Sequence, residues 1–228
     1  MIENSLPAIL YHMLGELSTN PLGFLLGLAA LVAAITVHEF AHALTADRLG
    51  DPTPRLQGRL TLNPLAHLDP FGTLLLILLR FGWGKPVQFD PYNLRHPRRD
   101  SAIISLAGPV SNLLCAVVCS VLLRLLFTFQ ISFIASLAIG LLQPLIVYNV
   151  ILAIFNLVPI HPLDGFKIVG GILPEEQASQ WAQLEGYGMI FLILLILPIT
   201  GGISPISQFI SPIINVLLTL LLPAPRFF

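Results

Sequence analysis

The strongest constraint on this chain is a set of apolar runs that are long enough to cross a lipid bilayer. The first covers Leu22 to Leu49, the second Ser101 to Thr128, and the third Phe133 to Val158. A helix needs about 20 apolar residues to cross the hydrocarbon core. The chain is only 10% charged, whereas soluble domains are about 25% charged. The sequence therefore predicts an all-α, multi-pass membrane protein.

Other apolar segments are shorter. Two follow the third run, at about Tyr187 to Thr200 and about Pro205 to Leu222. The run from Thr73 to Phe81 is too short to span and predicts a re-entrant segment or a short packed helix. Residues 1–20 carry apolar side chains at helical spacing, which predicts a short segment that is amphipathic or partly inserted in the membrane.

The basic residues predict an orientation in the membrane. Of the 11 Lys and Arg residues, eight lie between Arg48 and Arg99. Cytoplasmic loops are enriched in Lys and Arg, so we expect residues 48–100 to face the cytosol. The first run then crosses from outside to inside, and the third run ends on the cytosolic side. The net charge of −1 gives no general attraction to nucleic acid, and we expect no such partner.

A segment after the first run alternates apolar residues and Gly with polar residues. The non-polar positions are Leu56, Gly58, Leu60 and Leu62. A period of two is typical of a β-strand, so we predict a short strand or hairpin element over about residues 54–64, near the cytosolic face. An edge strand there would accept an extended substrate by β-addition. The alternative is a plain interfacial loop.

The second half of the first run contains an H-E-x-x-H pattern, His38-Glu39-Phe40-Ala41-His42. Residues four apart lie on the same face of a helix, so the two imidazoles can bind one Zn²⁺ while Glu39 acts as a general base. Ionisable side chains inside an apolar segment are costly unless they have partners. This setting favours a metal site over a chance match.

A catalytic zinc takes three protein ligands and leaves one position open. The predicted orientation brings the turn after the third run to the same side as His38 and His42. That turn contains Asp164, which we predict as the third ligand, and Gly165 permits a tight backbone beside it. Two alternatives remain open: Asp164 could cap a following helix, or His161 could be the third ligand.

Four segments carry a resemblance to a known family. They read VHEFAHA at 37–43, NPLAHLDPFG at 63–72, GPVSN at 108–112 and FNLVPIHPLDG at 155–165. In this order they resemble the site-2 protease family, the M50 intramembrane zinc metalloproteases, in the short form without PDZ or CBS domains. We therefore expect residues 1–228 to form one membrane-embedded peptidase domain, with a catalytic core at about 22–172 and C-terminal helices at about 187–222.

The resemblance implies roles for particular residues. It implies a three-helix catalytic core in which His38, His42 and Asp164 hold one zinc ion and Glu39 is the catalytic acid and base. Asn156 matches a family Asn that would hold the substrate backbone or stabilise the oxyanion.

Three further polar residues are less closely tied to the chemistry. His67 is a weaker candidate for substrate contact, and its alternative is a structural His bonded to Asp69 or to backbone. Asn112 and Asn149 are expected to bridge helices.

These features predict an intramembrane zinc metalloendopeptidase of the cell membrane, with its active site toward the cytosol. Its substrates would be single-span membrane proteins, cut in or near their transmembrane segments in regulated intramembrane proteolysis. One alternative is a catalytically silent homologue that acts as a membrane scaffold, against which the intact H-E-x-x-H pattern argues. Another is a zinc-binding membrane transporter, which would need polar residues continuing to the far side of the membrane. The outer halves of the runs are almost wholly apolar.

Overall fold

In the described part of the chain the regular secondary structure is helical, apart from an isolated β-bridge. The computed structural model describes residues 19–72, 84–128, 132–197 and 204–223. Among these residues, three helices are long and apolar enough to cross a membrane. They are α1 (Pro21–Leu49), α3 (Pro97–Thr128) and α4 (Ser132–Asn156). They match the three apolar runs of the sequence to within a few residues at each end.

Shorter helices connect and follow the long ones. They are α2 (Thr53–Leu56), α5 (Asp164–Ile172), α6 (Glu175–Ala182), α7 (Glu185–Ile196) and α8 (Pro205–Leu221). The prediction for Thr73 to Phe81, and that for nearly all of residues 1–20, falls outside the described residues.

Local signals set the ends of α1. The side chain of Asn20 accepts a hydrogen bond of 2.9 Å from the backbone nitrogen of Gly23, which caps the N-terminus. Pro21 occupies the first turn, where its missing N–H is not needed. Gly50 ends the helix with a φ of 111°, a left-handed conformation that glycine adopts without steric cost. The helix therefore starts and stops where the apolar run does.

The three long helices pack against one another, and small residues form the contact surface of α1. Ala30, Ala34, Ala43 and Ala46 are all fully buried. Small side chains allow helix backbones to approach closely, which is how helices associate in a membrane. Large apolar side chains of α3 point outward instead, among them Leu114 and Val118. This distribution suits helices with a polar interior and a lipid-facing exterior.

Close backbone packing brings α5 to the end of this helix bundle. A Cβ added at Gly165 would lie 2.4 Å from the carbonyl oxygens of both Leu157 and Val158. A Cβ at Gly171 would lie 2.3 Å from the Cβ of Ala102 on α3. Only glycine fits at these two positions, so the sequence allows α5 to lie directly on α3 and on the end of α4.

The predicted β-strand or hairpin over residues 54–64 is wrong. Among the described residues there is no strand, and the isolated β-bridge pairs Leu68 with Gly84. The helix α2 takes up the start of the segment, and Gly58 turns the chain with a φ of 69°. Arg59, which the alternation assigns to a solvated face, is only 3% exposed. The alternating polar and non-polar residues therefore belong to a loop, and this loop turns the Arg59 side chain into the protein.

Asp51 ties this loop to the segment that precedes α3. Its side chain is fully buried and accepts hydrogen bonds from Thr53 Oγ1 at 2.6 Å, Asp90 N at 2.7 Å and Asn93 Nδ2 at 2.8 Å. Burial alone would raise the pKa of Asp51, but these hydrogen bonds stabilise the carboxylate and hold its pKa below the ordinary value of 3.8. A charged, fully bonded Asp51 thus fixes the path of residues 84–93 beside α1.

Candidate metal centre

The H-E-x-x-H turn lies in the second half of α1 and turns its two imidazoles into the protein. His38 is 7% exposed and His42 is 8% exposed. Their ring centroids are 4.5 Å apart with an interplanar angle of 87°. The two Nε2 atoms are 3.0 Å apart. The helical spacing therefore brings the two imidazole nitrogens together, as the sequence predicts.

Asp164 is the first residue of α5 and joins the two imidazoles. Its Oδ2 lies 3.2 Å from Nε2 of His38 and 3.2 Å from Nε2 of His42. One ligand atom from each of the three residues lies within 4.8 Å of the others. The N-cap of α5 is Leu163, and no side chain caps this helix. Asp164 therefore does not cap the N-terminus of α5.

The competing candidate, His161, points elsewhere. Its Nδ1 lies 3.7 Å from Oε1 of Glu185, and its ring packs edge-on against Phe166 at 5.7 Å between centroids. These contacts direct the His161 side chain toward α7 and α5.

Hydrogen bonds on the far side of each ring show that the three residues fit a metal ion. Nδ1 of His38 lies 2.6 Å from Oδ1 of Asn112, and Nδ1 of His42 lies 2.7 Å from the carbonyl oxygen of Ile104. Both partners are acceptors, so each Nδ1 carries the proton and each Nε2 keeps its lone pair. Two lone pairs and a carboxylate then face one another.

Three electron-rich groups in one buried spot repel one another unless a cation lies between them. Oδ2 of Asp164 is buried and has no hydrogen-bond partner, which is unusual for a native carboxylate. Imidazole nitrogen and carboxylate oxygen are ligands that Zn²⁺ accepts in catalytic sites. The donor set therefore fits zinc, with His38, His42 and Asp164 as the residues that would hold it.

Gly108 on α3 makes room for the two rings. A Cβ at this position would lie 2.4 Å from Nε2 of His42 and 2.6 Å from Cε1 of His38. Pro109 follows without breaking α3, although a proline inside a helix cannot donate to the carbonyl four residues earlier. The carbonyl that Pro109 cannot serve is that of Ser105. The neighbouring carbonyl of Ile104 accepts from Nδ1 of His42. From the sequence, Gly108 and Pro109 were noted only as part of the family resemblance. The signal that could have indicated close packing at this point is a Gly-Pro step inside an apolar helix.

Glu39 is held by the backbone of a segment distant in sequence. Its Oε2 accepts a hydrogen bond of 2.8 Å from the backbone nitrogen of Val87. The buried Arg59 fixes that segment because its guanidinium donates to three backbone carbonyls. They belong to Ala66, Lys85 and Pro86. Sequence reasoning missed Arg59 and Val87, since a backbone amide and an arginine in a loop carry no motif.

The structure gives His67 and Asn156 different surroundings. His67 is fully buried, its Nε2 lies 2.7 Å from the carbonyl oxygen of Thr61, and its own carbonyl accepts from Lys85 N at 2.8 Å. These bonds join the loop before it to the segment that carries Val87. Asn156, at the end of α4, donates from Nδ2 to the carbonyl of Leu152 at 3.0 Å. His67 is not among the clustered ligands.

Comparison with known proteins assigns this chain to a family. Residues 125–197 match the model of peptidase family M50. The chain is 40% identical over 173 residues to YwhC of Bacillus subtilis, named as a candidate zinc metalloprotease, with 74% of this chain and 79% of YwhC covered. The chain therefore belongs to peptidase family M50 and is a zinc metalloprotease.

More distant relatives have names of the same kind. One is Rip2 of Mycolicibacterium smegmatis, also named as a candidate zinc metalloprotease. It is 34% identical to this chain over 194 residues, which cover 79% of this chain and 69% of Rip2. Rip2 of Mycobacterium tuberculosis is 31% identical over 187 residues, which cover 76% of this chain and 67% of Rip2. No solved structure gives a significant match to the chain.

The third ligand can be tested by zinc content. We expect Asp164→Ala to lower zinc affinity by at least about a hundredfold, the upper end of what loss of a ligand's supporting partner costs. His161→Ala should leave zinc affinity unchanged, because His161 contacts Glu185 and Phe166 instead. Competition with a chromogenic chelator on the purified proteins measures both. The reverse order would assign the third ligand to His161.

Proposed function

We propose that this zinc metalloprotease is an intramembrane endopeptidase that hydrolyses peptide bonds in or near the transmembrane segments of single-span membrane proteins. The observation that carries the proposal is the depth of the H-E-x-x-H turn. His38, Glu39 and His42 lie inside α1, a helix of membrane-spanning length and hydropathy. Metal ligands at this depth suit a substrate that enters from the bilayer. Ionisable side chains inside a membrane segment are costly, and where they occur they mark a functional site.

We assign the zinc ligands as Nε2 of His38, Nε2 of His42 and a carboxylate oxygen of Asp164. The convergence of these atoms and the unpaired Oδ2 of Asp164 support the assignment. When bound, zinc supplies Lewis acidity, which makes water more acidic and polarises a peptide carbonyl.

Glu39 is proposed as the general base and then the general acid. The Val87 amide occupies Oε2, which fixes the carboxylate and leaves Oε1 to take a proton from the attacking water. The same oxygen then returns the proton to the leaving amine when the peptide bond breaks. The Val87 contact supports this role because a base held in one orientation loses less entropy when it reacts.

Substrate binding requires local unwinding, because a hydrogen-bonded helix hides its own carbonyls. We propose that Asn156 contacts the unwound backbone or the developing oxyanion. One of its two amide protons serves the Leu152 carbonyl, and the other is available to a substrate. For His67 we propose an indirect role through the loop, since contact with substrate would require this buried residue to become exposed.

We further propose that the metal centre opens toward the cytosol. The support is the concentration of eight of the 11 basic residues between Arg48 and Arg99, since cytoplasmic loops are enriched in Lys and Arg. Both the end of α1 and the start of α3 lie in this basic stretch.

Glu39→Gln tests the catalytic proposal. We expect this variant to bind zinc as the wild type does and to cleave a single-span model substrate about a hundred to ten thousand times more slowly. Glu176→Gln, the same chemical change on the exposed helix α6, should cleave normally. Both are assayed in proteoliposomes, with the cut sites mapped by mass spectrometry. Undiminished cleavage by Glu39→Gln would remove Glu39 as the base, and cuts confined to water-soluble segments would contradict the intramembrane assignment.

Cysteine labelling tests the orientation. In a background with Cys115→Ala and Cys119→Ala, one variant carries Gln57→Cys, just after α2, and the other Thr128→Cys, at the far end of α3. A membrane-impermeant maleimide added to intact cells should label Thr128→Cys at once and Gln57→Cys only after permeabilisation. The opposite pattern would place the metal centre on the outer side.

A further inference from the structure

A buried chain of hydrogen bonds runs from His38 on α1 through α3 to α4. Asn112 and Asn149 are both fully buried. Oδ1 of Asn112 lies 2.6 Å from Nδ1 of His38, and Nδ2 of Asn112 donates to Oδ1 of Asn149 at 2.7 Å. Nδ2 of Asn149 in turn donates to the carbonyl of Leu145 at 2.8 Å. The two asparagines thus bridge helices, as expected, and their chain ends on a proposed zinc ligand.

The direction of this chain follows from its fixed ends. A backbone carbonyl only accepts, so Asn149 must turn its amide nitrogen to Leu145 and its oxygen to Asn112. Asn112 then donates one proton to Asn149 and the other to the carbonyl of Ala34, at 3.1 Å. The oxygen of Asn112 remains for His38 and can only accept. His38 must therefore carry its proton on Nδ1, which leaves the Nε2 lone pair free.

We propose that Asn149 is a positioning residue for the metal centre, acting through Asn112. By accepting one amide proton it holds Asn112 in the orientation that keeps His38 as the Nδ1–H tautomer. This inference rests on the proposed function, in which Nε2 of His38 binds zinc. Asn149 itself touches neither the metal ligands nor the proposed base.

The two imidazoles differ in how their tautomers are fixed. His42 donates to the backbone carbonyl of Ile104, which cannot reverse its polarity. His38 donates to a side-chain amide, which can turn over and present its NH₂ group instead. A donor at that position would favour the Nε2–H tautomer of His38, in which the lone pair lies on Nδ1 and Nε2 has none to offer zinc.

Asn149 makes the reversed orientation of Asn112 unfavourable. Without Asn149 one amide proton of Asn112, a fully buried residue, would lose its acceptor. The preference of Asn112 for its present orientation would then depend on the longer bond to the Ala34 carbonyl. The zinc affinity of the site therefore depends on a residue two hydrogen bonds away from it.

The test compares three variants. Asn149→Leu keeps the branching at Cγ and the number of side-chain heavy atoms, and it removes both hydrogen bonds. Asn149→Asp, in its neutral form, can donate its hydroxyl proton to Leu145 and accept from Asn112, so it should restore the chain. Ser111→Ala is the matched control, because the hydroxyl of Ser111 donates only to Gly108 of its own helix. Zinc affinity is measured by chelator competition, and the tautomer of each imidazole by ¹⁵N NMR of the zinc-free protein.

We expect Asn149→Leu to lower zinc affinity by about tenfold to a hundredfold, the effect of removing a partner that orients a metal-binding imidazole. The spectrum of His38 should gain an Nε2–H component, while His42 keeps its Nδ1–H form. Asn149→Asp should recover most of the affinity, and Ser111→Ala should match the wild type. A loss of stability alone would not change one tautomer and spare the other.

A folded Asn149→Leu variant with wild-type affinity and an unchanged His38 tautomer would overturn the proposal. If Asn149→Leu does not fold, Asn149→Ala decides by the same two measurements: a loss of zinc affinity with an Nε2–H component for His38 supports the proposal, and a folded variant with wild-type affinity and an unchanged His38 tautomer overturns it. His38→Ala distinguishes a failure of the proposed zinc ligand set from a failure of the positioning role of Asn149. If it binds zinc as tightly as the wild type, the proposed ligand set fails as well; if only Asn149→Leu is without effect, the positioning role alone fails.

Discussion

The fold holds three electron-rich groups close together, two imidazole nitrogens and one carboxylate oxygen, and these groups repel one another. Nε2 of His38, Nε2 of His42 and Oδ2 of Asp164 are within 3.2 Å of one another. In an apolar interior such an arrangement is unfavourable by itself, and a divalent cation converts it into a favourable one. With His38, His42 and Asp164 as the proposed ligands, zinc and the helix bundle would stabilise each other, because the groups whose repulsion destabilises the zinc-free protein are the ones proposed to bind the ion.

Close helix approach is what brings these groups together. Gly108 lets α3 lie against both imidazoles, and Gly165 lets the start of α5 lie against the end of α4. Each imidazole then finds its acceptor on α3, one a side chain and one a backbone carbonyl. A single methyl group at either glycine would push the elements apart. Small residues in these helices therefore permit close packing and also bring the candidate ligands together.

Much of this organisation could be predicted from the sequence, because long apolar runs and helical spacing are local signals. The runs gave α1, α3 and α4, and the four-residue spacing put His38 and His42 on one face. The β-strand was wrong because a period of two cannot show that Arg59 folds inward. The contact between Glu39 and Val87 joins residues 48 positions apart, and only the folded chain reveals it. The sequence predicted that Asn112 and Asn149 bridge helices, but only the structure shows that they bond to each other. The direction of that bond follows from the positions of the Leu145 and Ala34 carbonyls.

X-ray absorption at the zinc edge of the purified, zinc-loaded protein tests the proposed ligand set directly. We expect a shell of nitrogen and oxygen atoms at about 2.0–2.2 Å, with the multiple-scattering pattern of two imidazoles. Replacing Asp164 with alanine should leave both imidazoles and change only the light-atom count. A sulfur shell at about 2.3 Å, or a pattern of fewer than two imidazoles, would contradict the site described here.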